Sequence, residues 1–361
     1  MRCVLVLPLV VAVACSSSTG VRVPNLPPAQ NIAEFEDHLE QLRVALRIPA
    51  FSAAIANGTD VVWARGFGEA DVENHIAATS ATEYHLASLT KTFASTIVLQ
   101  LVDNGSVSLD DPVSLYGIFL DSPGIVRVRH LLSHTSEGVP GSRYIYNGNR
   151  FGLLDSVVAH ATKKNFASRL AEKILVPLGF LRTAPNPLSQ VDFAVMGFDH
   201  AQFVSRMAKP YELSGRTNVA SAYPNYFGTA AGLVSTVLDV AKYSIALDTG
   251  AFLKPATKAL AFSPTIGTAG DTLPYGLGWF STRVGETRFV WHYGLWTGNS
   301  SLIVKVPSRG LTFVVIANND MLSRPTNLGA GDLMSSSVAK EFINAFVAGH
   351  ATLPTQALSI R

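Results

Sequence analysis

Cysteine is nearly missing from these 361 residues: the only two, Cys3 and Cys15, lie in the first fifteen positions. The rest of the chain therefore has no disulfide, no thiolate metal site and no cysteine nucleophile. Surplus charge is missing too. Lys and Arg number 28 against 26 Asp and Glu, and a chain without a basic excess is a poor match for phosphate backbones, which excludes nucleic acid as the main partner. Beyond the N-terminus no apolar run reaches the ~20 residues that span a bilayer. There is no Gly-x-Ser-x-Gly elbow to supply an α/β-hydrolase nucleophile and no Gly-rich phosphate loop. His130 and His134 have the spacing of a zinc pair, but Leu131 stands where a His-Glu-x-x-His enzyme needs glutamate. With no third ligand apparent, structural roles are expected for both.

What is present begins with MRCVLVLPLVVAVAC, one arginine followed by an apolar run too short for a mature membrane helix. It reads as an export signal over residues 1–14. Ala12-Val13-Ala14 fits ordinary signal-peptide cleavage. Small residues before Cys15 also fit a bacterial lipobox, which would make Cys15 a lipidated N-terminus and a membrane tether; the lipoprotein is the favoured reading, plain secretion the alternative. The Ser- and Pro-rich residues 15–31 read as a flexible linker.

One domain is expected over 32–350, with a tail at 351–361. AEFEDHLEQLRVALRI has helical apolar spacing, and Asn57-Gly58 between two β-rich runs signals a hairpin. Residues 75–269 are mostly helical in pattern. Strand character returns in YGLGWFSTRV, TRFVWHYG, NSSLIVKVPSRG and LTFVVIANND, before a last helix. This order predicts an α/β fold: an antiparallel sheet built from both chain ends (32–74 and 270–350), flanked by helices, with a helical region inserted.

HLASLTKTF places Ser88 three residues before Lys91, at the start of a helix whose stripe is Ala94, Ile97, Val98, Leu101 and Val102 and whose cap is Gly105. Residues three apart share a helix face, so the two side chains can meet. A serine hydroxyl becomes nucleophilic when a neighbouring base takes its proton, and a lysine serves if burial leaves it partly neutral. The spacing recurs at Ser337 and Lys340, where a solvated helix face is expected.

Downstream context separates the two copies. RHLLSHTSEG, PGSRYIYNGNRFGLL, AAGLVSTVLDVAKY, YGLGW and WHYGLWTGNSSLIVKVP follow Ser88 in order. On these segments the sequence resembles the serine β-lactamase-related family: class C β-lactamases, low-molecular-weight penicillin-binding proteins, and the esterases and peptidases sharing their β-lactamase/transpeptidase fold. The resemblance runs from about Ile48 to Asp320. It implies an acyl-enzyme at Ser88, with Lys91 as proton-transfer partner and Tyr146 as general base. His292 and Gly294 would form the Lys/His-x-Gly element, and the N–H groups of Ser88 and Leu295 the oxyanion hole. It implies no metal, nucleotide or organic cofactor. Asn147, Tyr293, Gly294 and Trp296 are expected to touch substrate, whereas Tyr226 and Phe227 are expected only to pack.

The match departs from the family at two places. Gly148 stands where Tyr-x-Asn needs asparagine, leaving Asn147 or Asn149 to supply an amide, and Tyr223-Pro224-Asn225 fits the pattern literally as a rival. His292 replaces the usual lysine, so carboxylate recognition rests on a weaker cation. The expected activity is therefore serine hydrolysis of an ester or amide. A D-alanyl-D-alanine carboxypeptidase or weak β-lactamase, and a degenerate binder of cell-wall peptide or protein, are the alternatives.

Overall fold

The computed structural model describes residues 23–188, 199–354 and 356–358. The export segment and Cys15 lie outside these residues, as does the first part of the linker. Asn31 ends the linker: its side chain accepts the Glu34 N–H and opens helix α1 (Ile32–Ala45), which buries Phe35, His38, Leu39 and Leu42 on one stripe.

Strands β1 (Ala50–Asn57) and β2 (Asp60–Asp71) form the hairpin, and β3 (Ile76–Ala77) edges it. The hairpin loop is Gly58-Thr59, one position later than the Asn57-Gly58 signal suggests. Asn57 still pairs with Asp60, and Gly58 alone takes the left-handed conformation at φ +60°.

The chain then leaves the sheet. It runs through β4 (Tyr84–His85), α2 (Thr90–Asp103), α3 (Val128–Leu132), α4 (Gly148–Gly152), α5 (Leu154–Thr162) and α6 (Phe166–Leu170). After these come β5 (Ala184–Pro185), α7 (His200–Ser205), the hairpin β6 (Tyr211–Ser214) and β7 (Thr217–Ala220), β8 (Leu233–Ser235), α8 (Val237–Asp248) and α9 (Pro255–Phe262). It returns as β9 (Phe280–Val284), β10 (Thr287–Trp296), β11 (Asn299–Val306) and β12 (Leu311–Ala317), and closes with α10 (Ser337–Phe342).

The main sheet has the order β3-β2-β1-β12-β11-β10-β9, every pair antiparallel, so the two chain ends meet at β1 and β12. Alternation sorts its side chains into two cores. Phe51, Ile55, Leu302, Val304, Phe313 and Val315 belong with α1 and α10; Ala54, Ile303, Val314 and Ile316 belong with α2 and α8. Phe313 stacks on Phe342 at 4.9 Å and meets Phe35 edge-on at 6.0 Å. That one side chain holds both terminal helices to the sheet, and its loss to alanine costs roughly 3–5 kcal/mol.

Two features of the inserted region differ from the helical expectation. It contains a small sheet, β4-β8-β5, whose strands of two or three residues are too short to show a period. And α2 is buried on every side from Thr90 to Leu99 rather than along one stripe. Its polar side chains survive burial by bonding backbone: Thr92 Oγ1 to Leu89 O, Thr96 Oγ1 to Thr92 O, and Ser95 Oγ to Leu277 O at 2.6 Å.

Candidate active site

Ser88 lies in a single 3-10 turn, Ala87–Leu89, that leads into α2. Ala87 has φ +49°, a left-handed conformation that strains any residue with a Cβ and needs support from its surroundings. The support is explicit. His85 Nδ1 accepts the Ala87 N–H at 3.1 Å; Thr90 Oγ1 donates to Ala87 O at 2.8 Å and accepts the Leu233 N–H at 3.0 Å. The Leu86 N–H donates to Leu233 O, and Ser301 Oγ donates to Leu86 O. Gly294 of β10 presses against the same turn, where a Cβ would overlap Leu86 O and Ser301 Oγ. Residues of β4, β8, β10 and β11 thus fix the orientation of one hydroxyl.

Lys91, one helical turn on, is 1% exposed. Its Nζ donates to Ser88 Oγ at 2.8 Å and to Ala230 O at 2.7 Å, and lies over the rings of Tyr146 and Phe151 at 5.2 and 5.5 Å. Burial drives its pKa down to about 7, because the ammonium loses hydration that these partners only partly replace. About half the amine is then neutral at pH 7, with a lone pair beside the Ser88 hydroxyl. The other Ser-x-x-Lys copy is different in kind: Ser337 opens α10 and Lys340 is exposed to solvent.

The Tyr146 hydroxyl is buried close to Ser88, whose proximity favours the phenolate, yet it makes no hydrogen bond with any described group. Burial outweighs that help, with the Tyr293 hydroxyl adding to it, and holds its pKa well above 10. The resting pair is a neutral phenol beside a titrating amine. Tyr223, the rival base, donates its hydroxyl to Ala208 O and stands beside His85 at 6.2 Å; neither ring group reaches Lys91 through a hydrogen bond.

His292 is fully buried. Its Nδ1 is 2.6 Å from Tyr293 O and its Nε2 2.8 Å from Tyr275 Oη. A carbonyl only accepts, so Nδ1 carries the proton and Nε2 accepts from the tyrosine. Burial first, and Lys91 second, lower its pKa to about 3. The weak cation expected at this position is therefore absent: His292 is a neutral, doubly hydrogen-bonded ring.

A cavity of about 320 Å³ opens over Ser88, lined by Lys91, Gly148, Asn149, Gly152, Tyr226, Ala230, Ala231 and Trp296. Gly148 lines it without a side chain, and a Cβ there would meet Lys91 Nζ at 3.9 Å, an ordinary contact. Trp296 lines the cavity as expected, stacked on Tyr226 at 5.9 Å, so Tyr226 is a wall of the site rather than packing alone. Two other expectations need correction. Asn147 spends its amide on structure, with Oδ1 accepting the Arg150 N–H to cap α4 and Nδ2 donating to Glu137; Asn149 is the amide at the cavity. Tyr293 is buried behind the Tyr146 ring at 5.7 Å. Leu295 is 38% exposed, on the stretch of β10 beyond Trp291 where pairing with β9 has ended.

Sequence reasoning missed the Ala230 carbonyl, which as backbone leaves no signature, and the role of His85, which a histidine three residues before a serine does not announce. His130, read as structural, accepts the Arg127 N–H at the start of α3.

The profile of the beta-lactamase family matches residues 35–329. Penicillin-binding protein 4* of Bacillus subtilis is 24% identical over 306 residues, 73% of this chain and 67% of that protein. Curated relatives from Staphylococcus aureus extend further, and the chain spans 60% of their length. Among solved structures, the octameric penicillin-binding protein homologue from Pyrococcus abyssi superposes with a TM-score of 0.71 at 23% identity, over 80% of this chain and 74% of that one. EstCE1, a hydrolase with promiscuous acyltransferase activity, superposes at 0.66 and 18% identity, over 86% and 97%. With a buried lysine bonded to a serine one turn away, on a sheet joining both chain ends, and with a family profile matching most of its length, this chain belongs to the beta-lactamase family of serine hydrolases.

Proposed function

We propose that the protein hydrolyses neutral acyl esters through a covalent intermediate on Ser88, in preference to carboxylate-bearing D-peptides and β-lactams. The observation that carries the chemistry is the 2.8 Å contact between Ser88 Oγ and a lysine whose pKa burial brings to about 7. Neutral Lys91 accepts the hydroxyl proton as Oγ attacks the carbonyl carbon. The Ser88 and Leu295 N–H groups receive the developing oxyanion. The proton returns from Lys91 through the Tyr146 hydroxyl to the leaving alkoxide, which departs as alcohol. Water then attacks the acyl-enzyme with the same pair acting in reverse, and Ser88 regains its proton.

The cavity itself supports the substrate class. Among the described residues that line it, Lys91 is the sole cation, and that amine is committed to Ser88 and Ala230. His292 is uncharged. A substrate carboxylate would enter without a partner, which charge-assisted hydrogen bonds make a loss of ~1.5–3 kcal/mol, roughly 10–100-fold in kcat/KM. Tyr226 and Trp296 offer an aromatic wall to an uncharged acyl group instead. Rates on p-nitrophenyl butyrate, D-phenylalanine amide, nitrocefin and a D-alanyl-D-alanine peptide test this. The ester should lead by at least tenfold; a lead by nitrocefin or release of D-alanine at a comparable rate overturns the preference.

The N-terminal sequence supports export, with Cys15 as a lipidated anchor. Palmitate labelling lost in Cys15→Ser is the expected result, and unlabelled secreted protein would favour plain cleavage after Ala14.

A further inference from the structure

His134 stands behind Tyr146, stacking on its ring and bonding the residues on either side of it. Its backbone carbonyl accepts the Ile145 N–H at 2.9 Å, and its Nδ1 accepts the Asn147 N–H at 3.2 Å. Between those two anchors its ring lies 4.3 Å from the Tyr146 ring, tilted by 31°. The residues before and after Tyr146 and its aromatic face are thus all held by one side chain and its own carbonyl. His134 adopts φ +55° to do so, a left-handed conformation uncommon for residues with a Cβ though commoner for histidine than for most. The ring is 1% exposed and boxed in by Tyr275 at 4.9 Å, Phe151 at 5.3 Å and Tyr144 at 6.1 Å.

The ring's chemistry suits this task. Because Nδ1 accepts, the proton sits on Nε2, which is buried and has no described hydrogen-bond partner. A group buried with one polar atom unpaired is costly, roughly 1–3 kcal/mol, and a plain packing residue would avoid that penalty by being apolar. Burial first, and then the charge of Lys91, keep the imidazole neutral, so Nδ1 stays an acceptor and no second cation competes with Lys91.

We infer that His134 is the positioning residue for Tyr146: it fixes the phenol in register with Ser88 and Lys91 by clamping residues 145 and 147 and stacking on the ring between them. It touches no substrate and moves no proton. This inference rests on the assignment of Tyr146 to proton transfer made above. Misplacement of a catalytic group by about 1 Å can cost as much as 100-fold without weakening substrate binding. The effect therefore belongs in kcat rather than KM, and it should vanish once the phenol is gone.

The test is a double-mutant cycle on the full chain, with ester kcat and KM and the rate of Ser88 labelling by a fluorophosphonate as readouts. His134→Ala should lower kcat and labelling at least tenfold with KM within about twofold. In the Tyr146→Phe background the same change should cost less than about twofold. His134→Asn, which tolerates positive φ and keeps an acceptor for the Asn147 N–H, should recover part of the loss; it also replaces alanine in the cycle if that variant does not fold. Equal losses in both backgrounds, or a loss confined to KM, overturn the inference. Full activity in Tyr146→Phe alone instead overturns the assignment of Tyr146, so the two failures are distinct.

Discussion

Replacing Lys91 by methionine should destroy activity and at the same time stabilise the protein at neutral pH. The amine drops from 10.5 to about 7 on folding, which at ~1.4 kcal/mol per unit corresponds to ~5 kcal/mol of differential stability. The sign follows from proton counting. Between about 7 and 10.5 the unfolded chain holds a proton that the folded chain has released, so stability rises with pH across that window. The contribution is complete above the unfolded pKa and lost as pH falls to the folded one. Methionine removes this burden but leaves the Ala230 carbonyl without its donor, a cost of ~1–3 kcal/mol. The variant should therefore be ~1–3 kcal/mol more stable than wild type at pH 7, and wild type should regain about 2 kcal/mol relative to it by pH 9. Urea unfolding followed by tryptophan fluorescence at both pH values measures the two gaps. A gap that stays constant within about 0.5 kcal/mol would show that the amine is not desolvated as described, and the argument for its neutrality would fail.

Other expectations test neighbouring links. With a neutral ester, kcat/KM should rise with pH through about 7 as Lys91 loses its proton, reporting the free enzyme; a profile flat from pH 6 to 8 would contradict the lowered pKa. Ser88→Ala should abolish turnover and fluorophosphonate labelling while Ser337→Ala leaves both intact, since only the first serine has a buried lysine bonded to it. Gly294→Ala puts a methyl into Leu86 O and Ser301 Oγ and should cut labelling of Ser88 by roughly 100-fold or more by shifting the turn; normal labelling would separate β10 from the turn's geometry. Tyr223→Phe should leave kcat within about twofold and cost ~1 kcal/mol in stability, because its hydroxyl serves Ala208 O.

By itself the sequence determined the elements that rest on local chemistry. Runs of strand-forming residues marked β10, β11 and β12, the last two buried along their whole length and without alternation; Ser88 and Lys91 met because residues three apart on a helical turn can; and a run of familiar segments in order pointed to the family. The tertiary structure decided what depends on surroundings. Burial, not spacing, separates Lys91 from Lys340 and brings the Lys91 amine towards neutrality. Backbone bonds from Leu233, hydroxyl bonds from Thr90 and Ser301, and a missing Cβ at Gly294 orient Ser88, and none of them leaves a periodic trace. The neutrality of His292 follows from its burial and from the neighbouring Lys91, its tautomer from Tyr275 and the Tyr293 carbonyl, and the diversion of Asn147 into a helix cap from the backbone around Arg150. Identity and spacing are written along the chain, whereas charge state and aim belong to the dielectric and the partners that only folding assembles.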